Sequence, residues 1–202
     1  NYNSLTTTMT LTIIKADPNI SFNDLVKNIK DPNFNFIATS NSTGVKSYVI
    51  SDTNIATVFG SNVTIQNLGS TLVTTNQAAD SNYNSGSSTM TLQIVTDPVI
   101  SFNDITKIFG DDDFELKPTS TSPAPFTFTI SDTNIATLSG SNVTIQNTGS
   151  TTIVVKQEAY GNFIGSTASM VLTVLKADPK IILNEIIKTY GDSDFEISPT
   201  SN

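Results

Sequence analysis

Short alternations of apolar and polar residues run along this chain, and the helical spacing is nowhere sustained. Met90-Thr-Leu-Gln-Ile94, Phe126-Thr-Phe-Thr-Ile130 and the run Met9, Leu11, Ile13 with Thr10 and Thr12 between them all alternate with period two. That period puts one set of side chains on each face of a strand, so each run predicts a half-buried strand. Ile55, Ala56 and Val58 predict another short strand and Val63 with Ile65 the next, joined by the hairpin residues Gly60-Ser61-Asn62. Leu72-Val73 and Ile153-Val154-Val155 predict a further strand, and Gly69 and Gly149 before them fit a tight turn of positive φ. Ile20, Phe22, Leu25, Phe34 and Phe36 take core-like positions, matched by Ile100, Phe102, Ile105, Phe114 and Leu116. Some seven short strands per repeat, spaced at about 8–12 residues, predict an all-β sandwich.

The pattern is written more than once. SDTNIAT at 51–57 returns at 131–137 and GSNVTIQN at 60–67 returns at 140–147, both displaced by 80 residues. A fixed period of this size is one supersecondary unit repeated. The expected organisation is a final strand of a preceding repeat at 1–16, full repeats at 17–96 and 97–177, and opening strands of a following repeat at 178–202. The chain thus reads as a window on a longer repetitive protein. Asp17-Pro18, Asp97-Pro98 and Asp178-Pro179 stand at the three joints. Proline fixes φ and restrains the residue before it, so short stiff junctions and an elongated rod are expected.

The order of an aromatic strand, SDTNIAT, a short glycine turn, NVTI, a glycine, an ST-x-V-x-V strand and a last alternating strand resembles the bacterial immunoglobulin-like group 2 repeats. It is also similar to related repeats with a YGD-type turn, met here as Tyr190-Gly191-Asp192 and altered to Phe109-Gly110-Asp111. In the first repeat KDPNFN at 30–35 replaces that turn. The resemblance covers essentially the whole chain. It implies an Ig-like sandwich used in surface adhesins, phage and giant-virus decorations, and other long extracellular stalks.

Composition narrows the chemistry. The chain carries 10 Lys+Arg against 18 Asp+Glu, a formal net charge of −8, and every basic residue is a lysine. A negative field without guanidinium forks argues against nucleic-acid or phosphate recognition. Cysteine and histidine are absent, which removes thiolate metal sites, disulfide staples and the commonest general base. No nucleophile–base pair can be assembled, so enzymatic activity is not expected. No apolar run approaches the ~18 residues of a membrane span.

The candidate sites are few. Asp111, Asp112 and Asp113, with Asp192 and Asp194 in the next repeat, offer hard oxygen ligands for calcium, against a plain solvated turn. Lys27, Lys107 and Lys188 each follow an acid by three residues (Asp24, Asp104, Glu185), a spacing open to an amide crosslink or to a guard on a strand edge. Asn41, Asn62 and Asn142 begin glycosylation sequons. Tyr83, Tyr160 and Phe163 could stack on a sugar or cap the core. Two functional classes follow. The first is a structural fibre segment on a cell or virion surface, associating with copies of itself, the outward Thr and Gln of the duplicated stretch being the suggested contact. The second is a module that binds a surface glycan or protein receptor through the variable loops at 38–47, 79–88, 118–125 and 159–167.

Overall fold

In the computed structural model, which describes residues 1–201, every regular element is a strand. The chain divides into two compact units, Asn1–Pro98 with Ala159–Gly165, and Val99–Glu158 with the chain from Ser166 onward. Each contains one Ig-like β-sandwich.

The first sandwich contains β1 (Ile20–Ser21), β2 (Leu25–Asn28), β3 (Phe34–Asn35), β4 (Thr39–Ser40), β5 (Lys46–Ile50), β6 (Ala56–Phe59), β7 (Asn62–Ile65), β8 (Gly69–Gln77) and β9 (Gly86–Val95). One sheet has the order β2-β9-β8-β5, the facing sheet β3-β7-β6, and β1 pairs with β4. The second sandwich repeats this with β10 (Ile100–Ser101), β11 (Ile105–Ile108), β12 (Phe114–Glu115), β13 (Thr119–Ser120), β14 (Phe126–Ile130), β15 (Ala136–Ser139), β16 (Asn142–Ile145), β17 (Gly149–Gln157) and β18 (Ser166–Leu175). Its sheets run β11-β18-β17-β14 and β12-β16-β15.

Inward residues meet between the sheets. Val63, Val73, Leu92 and Ile94 are fully buried in the first core, as are Val143, Ile153 and Leu172 in the second. Phe22, Phe36 and Leu116 are buried as the pattern predicts, while Ile20, Leu25, Phe34, Phe102, Ile105 and Phe114 pack half-buried around them. Phe22, Phe36 and Tyr48 form an aromatic cluster, with ring centroids 5.5–5.7 Å apart. This spacing suits edge and tilted contacts.

The first strand of each repeat does something that alternation does not reveal. It breaks after two residues and changes sheets: β2 pairs parallel with β9, Leu25 against Leu92, and β11 pairs parallel with β18. An acid makes the transition. Asp24 Oδ1 accepts the Thr91 N–H at 2.6 Å and Asp104 Oδ1 accepts the Val171 N–H at 2.7 Å. Each carboxylate thus continues the ladder by one bond where the backbone has not yet reached its partner strand.

The duplicated letters form one corner of each sandwich. Ile55 O accepts the N–H groups of Gln66 and Asn67, Asn67 Nδ2 donates to Asn54 O at 2.8 Å, and Asp52 Oδ1 accepts both Asn54 N and Nδ2 at 2.9 Å. Asp132, Asn134, Ile135 and Asn147 repeat the set. Gln66 Nε2 reaches Thr57 Oγ1, and Gln146 reaches Thr137. Gly69 and Gly149 complete the corner at φ +140°, where a Cβ would stand 2.6 Å from Ile55 Cδ1 or Ile135 Cδ1. Asp52, Asn54, Gln66 and Asn67 therefore have partners inside the unit, a reason for their identity between repeats that needs no lateral contact.

The alternating stretch at the N-terminus makes no ladder. Met9, Leu11 and Ile13 are 89%, 76% and 86% exposed, where their equivalents Met90, Leu92 and Ile94 are buried. A strand is held by its neighbours: β9 lies between β8 and β2, and among the described residues no strand flanks 9–14. Further along, β19 (Ile181–Ile182) pairs antiparallel with β20 (Thr200–Ser201).

Candidate functional site

One end of the first sandwich is built around Asp80. Its Oδ2 accepts Ser42 Oγ at 2.9 Å, Thr43 N at 2.9 Å and Thr43 Oγ1 at 3.0 Å. Its Oδ1 accepts the N–H groups of Asn82 and Tyr83, each at 2.8 Å. Charge-assisted bonds from backbone amides stabilise the ionised carboxylate. The Asn82 amide leads in holding the Asp80 carboxyl well below the usual range, followed by the Thr43 amide; desolvation opposes them, and the Tyr83 amide and Ser42 hydroxyl add smaller lowering effects. The carboxylate ties the loop after β4 to the loop after β8.

Gln77 anchors the same end from below. It is buried at 2% exposure, and its Nε2 donates to Ser42 O and Gly44 O at 2.9 Å. Gln157 does the same for Ser122 O and Ala124 O. These glutamines were not among the expected site residues. The signal was their parity: Val73, Thr75 and Gln77 share one face of β8, and that face is buried.

The incoming chain is clamped here too. Ala16 N donates to Asn82 O at 3.0 Å, Asn84 N donates to Ala16 O at 2.8 Å, and Asn84 Nδ2 donates to Asp17 Oδ1 at 2.8 Å. Tyr83 is half-buried in this bridge. In the same unit Thr96 N donates to Asn162 O and Ile164 N donates to Thr96 O, which places half-buried Phe163 opposite Thr96. Tyr160 is 57% exposed and shares a two-way backbone bridge with Phe163. Several residues expected in variable loops are strand residues instead: Thr39 and Ser40, Lys46 and Ser47, Gly86 to Ser88, and Thr119 and Ser120.

The acidic turns are held by their own backbone. Asp111 Oδ2 accepts the Ile108 N–H at 3.0 Å, as Asp31 does for Asn28 and Asp192 for Thr189. The first repeat thus keeps the turn's closing carboxylate although it lacks the glycine. Asp113 Oδ2 accepts Thr144 Oγ1 at 2.7 Å. Among the described residues no three acids converge on one point. Asp111 and Asp192 close their turns and Asp113 caps a neighbouring strand, so Asp111, Asp112, Asp113, Asp192 and Asp194 are not gathered into one cluster in this arrangement.

Lys27 and Lys107 lie half-buried with Nζ 4.9 Å above the rings of Phe34 and Phe114, and Lys188 stands 5.3 Å above Phe195. An ammonium over a ring face is attracted by the ring quadrupole. Asn41, Asn62 and Asn142 are exposed; Asn41 Oδ1 accepts the Asn19 N–H at 2.8 Å. A groove of about 390 Å³ runs beside Asp24, Lys27, Phe34, Phe36, Ile37 and Thr39. Its counterpart of about 290 Å³ lies along Asp104, Glu115, Lys117 and Thr119.

No family model matches the chain, and no curated protein matches it. Solved structures do. Domains 3–5 of the extracellular part of Drosophila OTK align with a TM-score of 0.51 at 12% identity, over 77% of this chain and 62% of that one. Sidekick-1 immunoglobulin domains 1–5 align at 0.48 and 10%, over 84% and 41%. A C-terminal intimin fragment, solved with the intimin-binding domain of its translocated receptor, aligns at 0.44 and 13%, over 86% and 67%. This chain spans less than two thirds of the OTK and Sidekick-1 fragments it resembles. At 12% identity the likeness to the OTK domains bears on the architecture alone, that of tandem Ig-like β-sandwiches.

Proposed function

We propose that the chain is a structural segment of a long, repetitive extracellular surface protein of the bacterial immunoglobulin-like group 2 kind, an adhesin or filament that also associates with copies of itself. The observation that carries the reading is the contrast within each repeat. The strand framework and the Asp52–Asn67 corner recur bond for bond, whereas the loops around Asp80 and Tyr160 do not. Selection for a repeated framework with divergent loops suits a spacer better than a shared ligand site. The reading is non-enzymatic, on the absence of His and Cys. Antibodies against this segment are expected to label intact, unpermeabilised cells or particles of the source, and surface proteolysis is expected to remove the label. Labelling only after permeabilisation overturns the extracellular reading.

A binding module is the second reading, favoured by the groove that recurs at equivalent positions in the two sandwiches. Its walls change from Asn35 and Ile37 to Glu115 and Lys117, so the two grooves would not take one ligand. Binding on a glycan array, lost on Lys27→Ala or Phe34→Ala, would support this reading. Silence across the array favours the structural one.

A further inference from the structure

The four-stranded sheet of the second sandwich ends in a strand that is unguarded and self-complementary. β14 is the terminal strand in the order β11-β18-β17-β14, and among the described residues no strand pairs with its other side. An edge strand presents unpaired N–H and C=O groups, and proteins blunt such edges with charge, proline or a bulge. The other edges of the four-stranded sheets have such guards. β2 and β11 carry Lys27 and Lys107, preceded by Asp24 and Asp104, and β5 begins with Lys46. At the position of Lys46, β14 has Phe126, and its five residues Phe-Thr-Phe-Thr-Ile include neither a charge nor a proline. Pro125 bounds the strand at its start.

We propose that β14 is a docking edge for a second copy of this chain, two β14 strands pairing antiparallel about a two-fold axis through Phe128. The inference rests on the self-association proposed above and assigns it a site. The argument for a second copy, rather than another partner, is the match the strand makes with itself. In that register Phe128 faces Phe128, Thr127 faces Thr129, and Phe126 faces Ile130. Aromatic–aromatic, Thr–Thr and aromatic–β-branched pairs are the stabilising cross-strand pairs. A two-fold interface must be self-complementary in this way. The same operation on β5 sets Lys46 against Ile50 and Ser47 against Val49, so the first sandwich lacks the match. Phe126 and Phe128 are only half-buried and line a groove of about 400 Å³ with Leu138, Gly140 and Ser141, which leaves ring surface for a neighbour to cover. Two chains of net charge −8 repel, and an edge free of charge is where they can approach.

The test is sedimentation equilibrium of the whole chain with a charge swap at Thr127 and Thr129, both exposed and therefore not needed by the core. The wild type is expected to dimerise more tightly as salt screens the net charge. T127K/T129K alone and T127E/T129E alone are each expected to weaken association at least tenfold, since like charges then face each other. Mixing the two variants is expected to restore a mixed dimer, and S47K/V49K on β5 is expected to change nothing. A wild type that stays monomeric up to its solubility limit overturns both this inference and the proposed self-association. A wild type that associates while the β14 variants associate equally well, or fail to recover on mixing, overturns the β14 edge alone and leaves self-association to another surface. Circular dichroism of each variant shows whether loss of folding explains a loss of association.

Discussion

The two sandwiches share a framework and hold the same end of it by different chemistry. In the first, Asp80 gathers Ser42, Thr43, Asn82 and Tyr83. In the second, the equivalents of Thr43 and Asp80 are Pro123 and Tyr160. Proline has no N–H to give and tyrosine has no carboxylate to receive it, so donor and acceptor have changed together. Beneath them, Thr75 is fully buried with no protein partner for its hydroxyl, and Gln77 Oε1 is likewise unmatched. The second sandwich puts Val155 in place of Thr75, and Ser120 Oγ donates to Gln157 Oε1 at 2.6 Å. The lesson is that this end tolerates either a charged knot with unsatisfied atoms below it or a stiffened loop over satisfied ones.

The largest expected effect tests what the two ends have in common. Gln157→Leu leaves two buried carbonyls without donors and is expected to destabilise the second sandwich by about 3 kcal/mol in thermal unfolding. Gln77→Leu is expected to cost less, because one of its acceptors is only partly buried and its own Oε1 is already unmatched. Equal losses would show that the unmatched oxygen is immaterial. Next in size, Gly149→Ala is expected to cost about 2 kcal/mol, and Gly69→Ala the same, from φ strain and crowding against Ile135 or Ile55. A smaller effect has the opposite sign. Thr75→Val is expected to stabilise the first sandwich by about 1 kcal/mol, and Val155→Thr to destabilise the second by at least as much.

The smallest effect is local and depends on pH. Asp80 has its carboxyl depressed by the Asn82 and Thr43 amides, so its contribution is present above the unfolded carboxylate range, near ~4, and fades as pH falls below it toward the lower folded value. Amide exchange at Thr43, Asn82 and Tyr83 is therefore expected to gain relative to the intrinsic rate on acidification below pH ~4. Asp80→Asn is expected to produce the faster exchange already at neutral pH. The amides of the second sandwich's loop, Ala124 among them, are expected to show no such acid step. An acid step of equal size there would break the comparison.

Much of the framework was legible from the residues. Val63, Ile65, Val73, Leu92 and Ile94 alternate cleanly because each sheet has one dry face and one wet one. The turn glycines announced themselves beside hydrophobic runs. The sheet switch of β1 and β2 was not legible, because the two fragments are too short to show a period and the bond from Asp24 to Thr91 spans most of the repeat. The acids at Asp31, Asp111 and Asp192 were visible as a cluster, but a carboxylate that closes a turn has the same composition as one that binds a cation. The buried glutamines were hidden by their polarity, since only strand parity distinguishes Gln77 from exposed Asn76. Conversely, Met9, Leu11 and Ile13 carry a strand's pattern without forming a ladder, because alternation encodes a face and not a partner.

The proposed function requires each sandwich to bear force as a unit, and pulling the chain from its two ends tests that most directly. Single-molecule extension is expected to give two abrupt unfolding events, one for Ile20–Val95 and one for Ile100–Leu175, each releasing chain on the order of 270 Å at ~3.6 Å per residue, less the span of the folded unit. One event releasing the whole chain, or a smooth yield without discrete steps, would contradict the account.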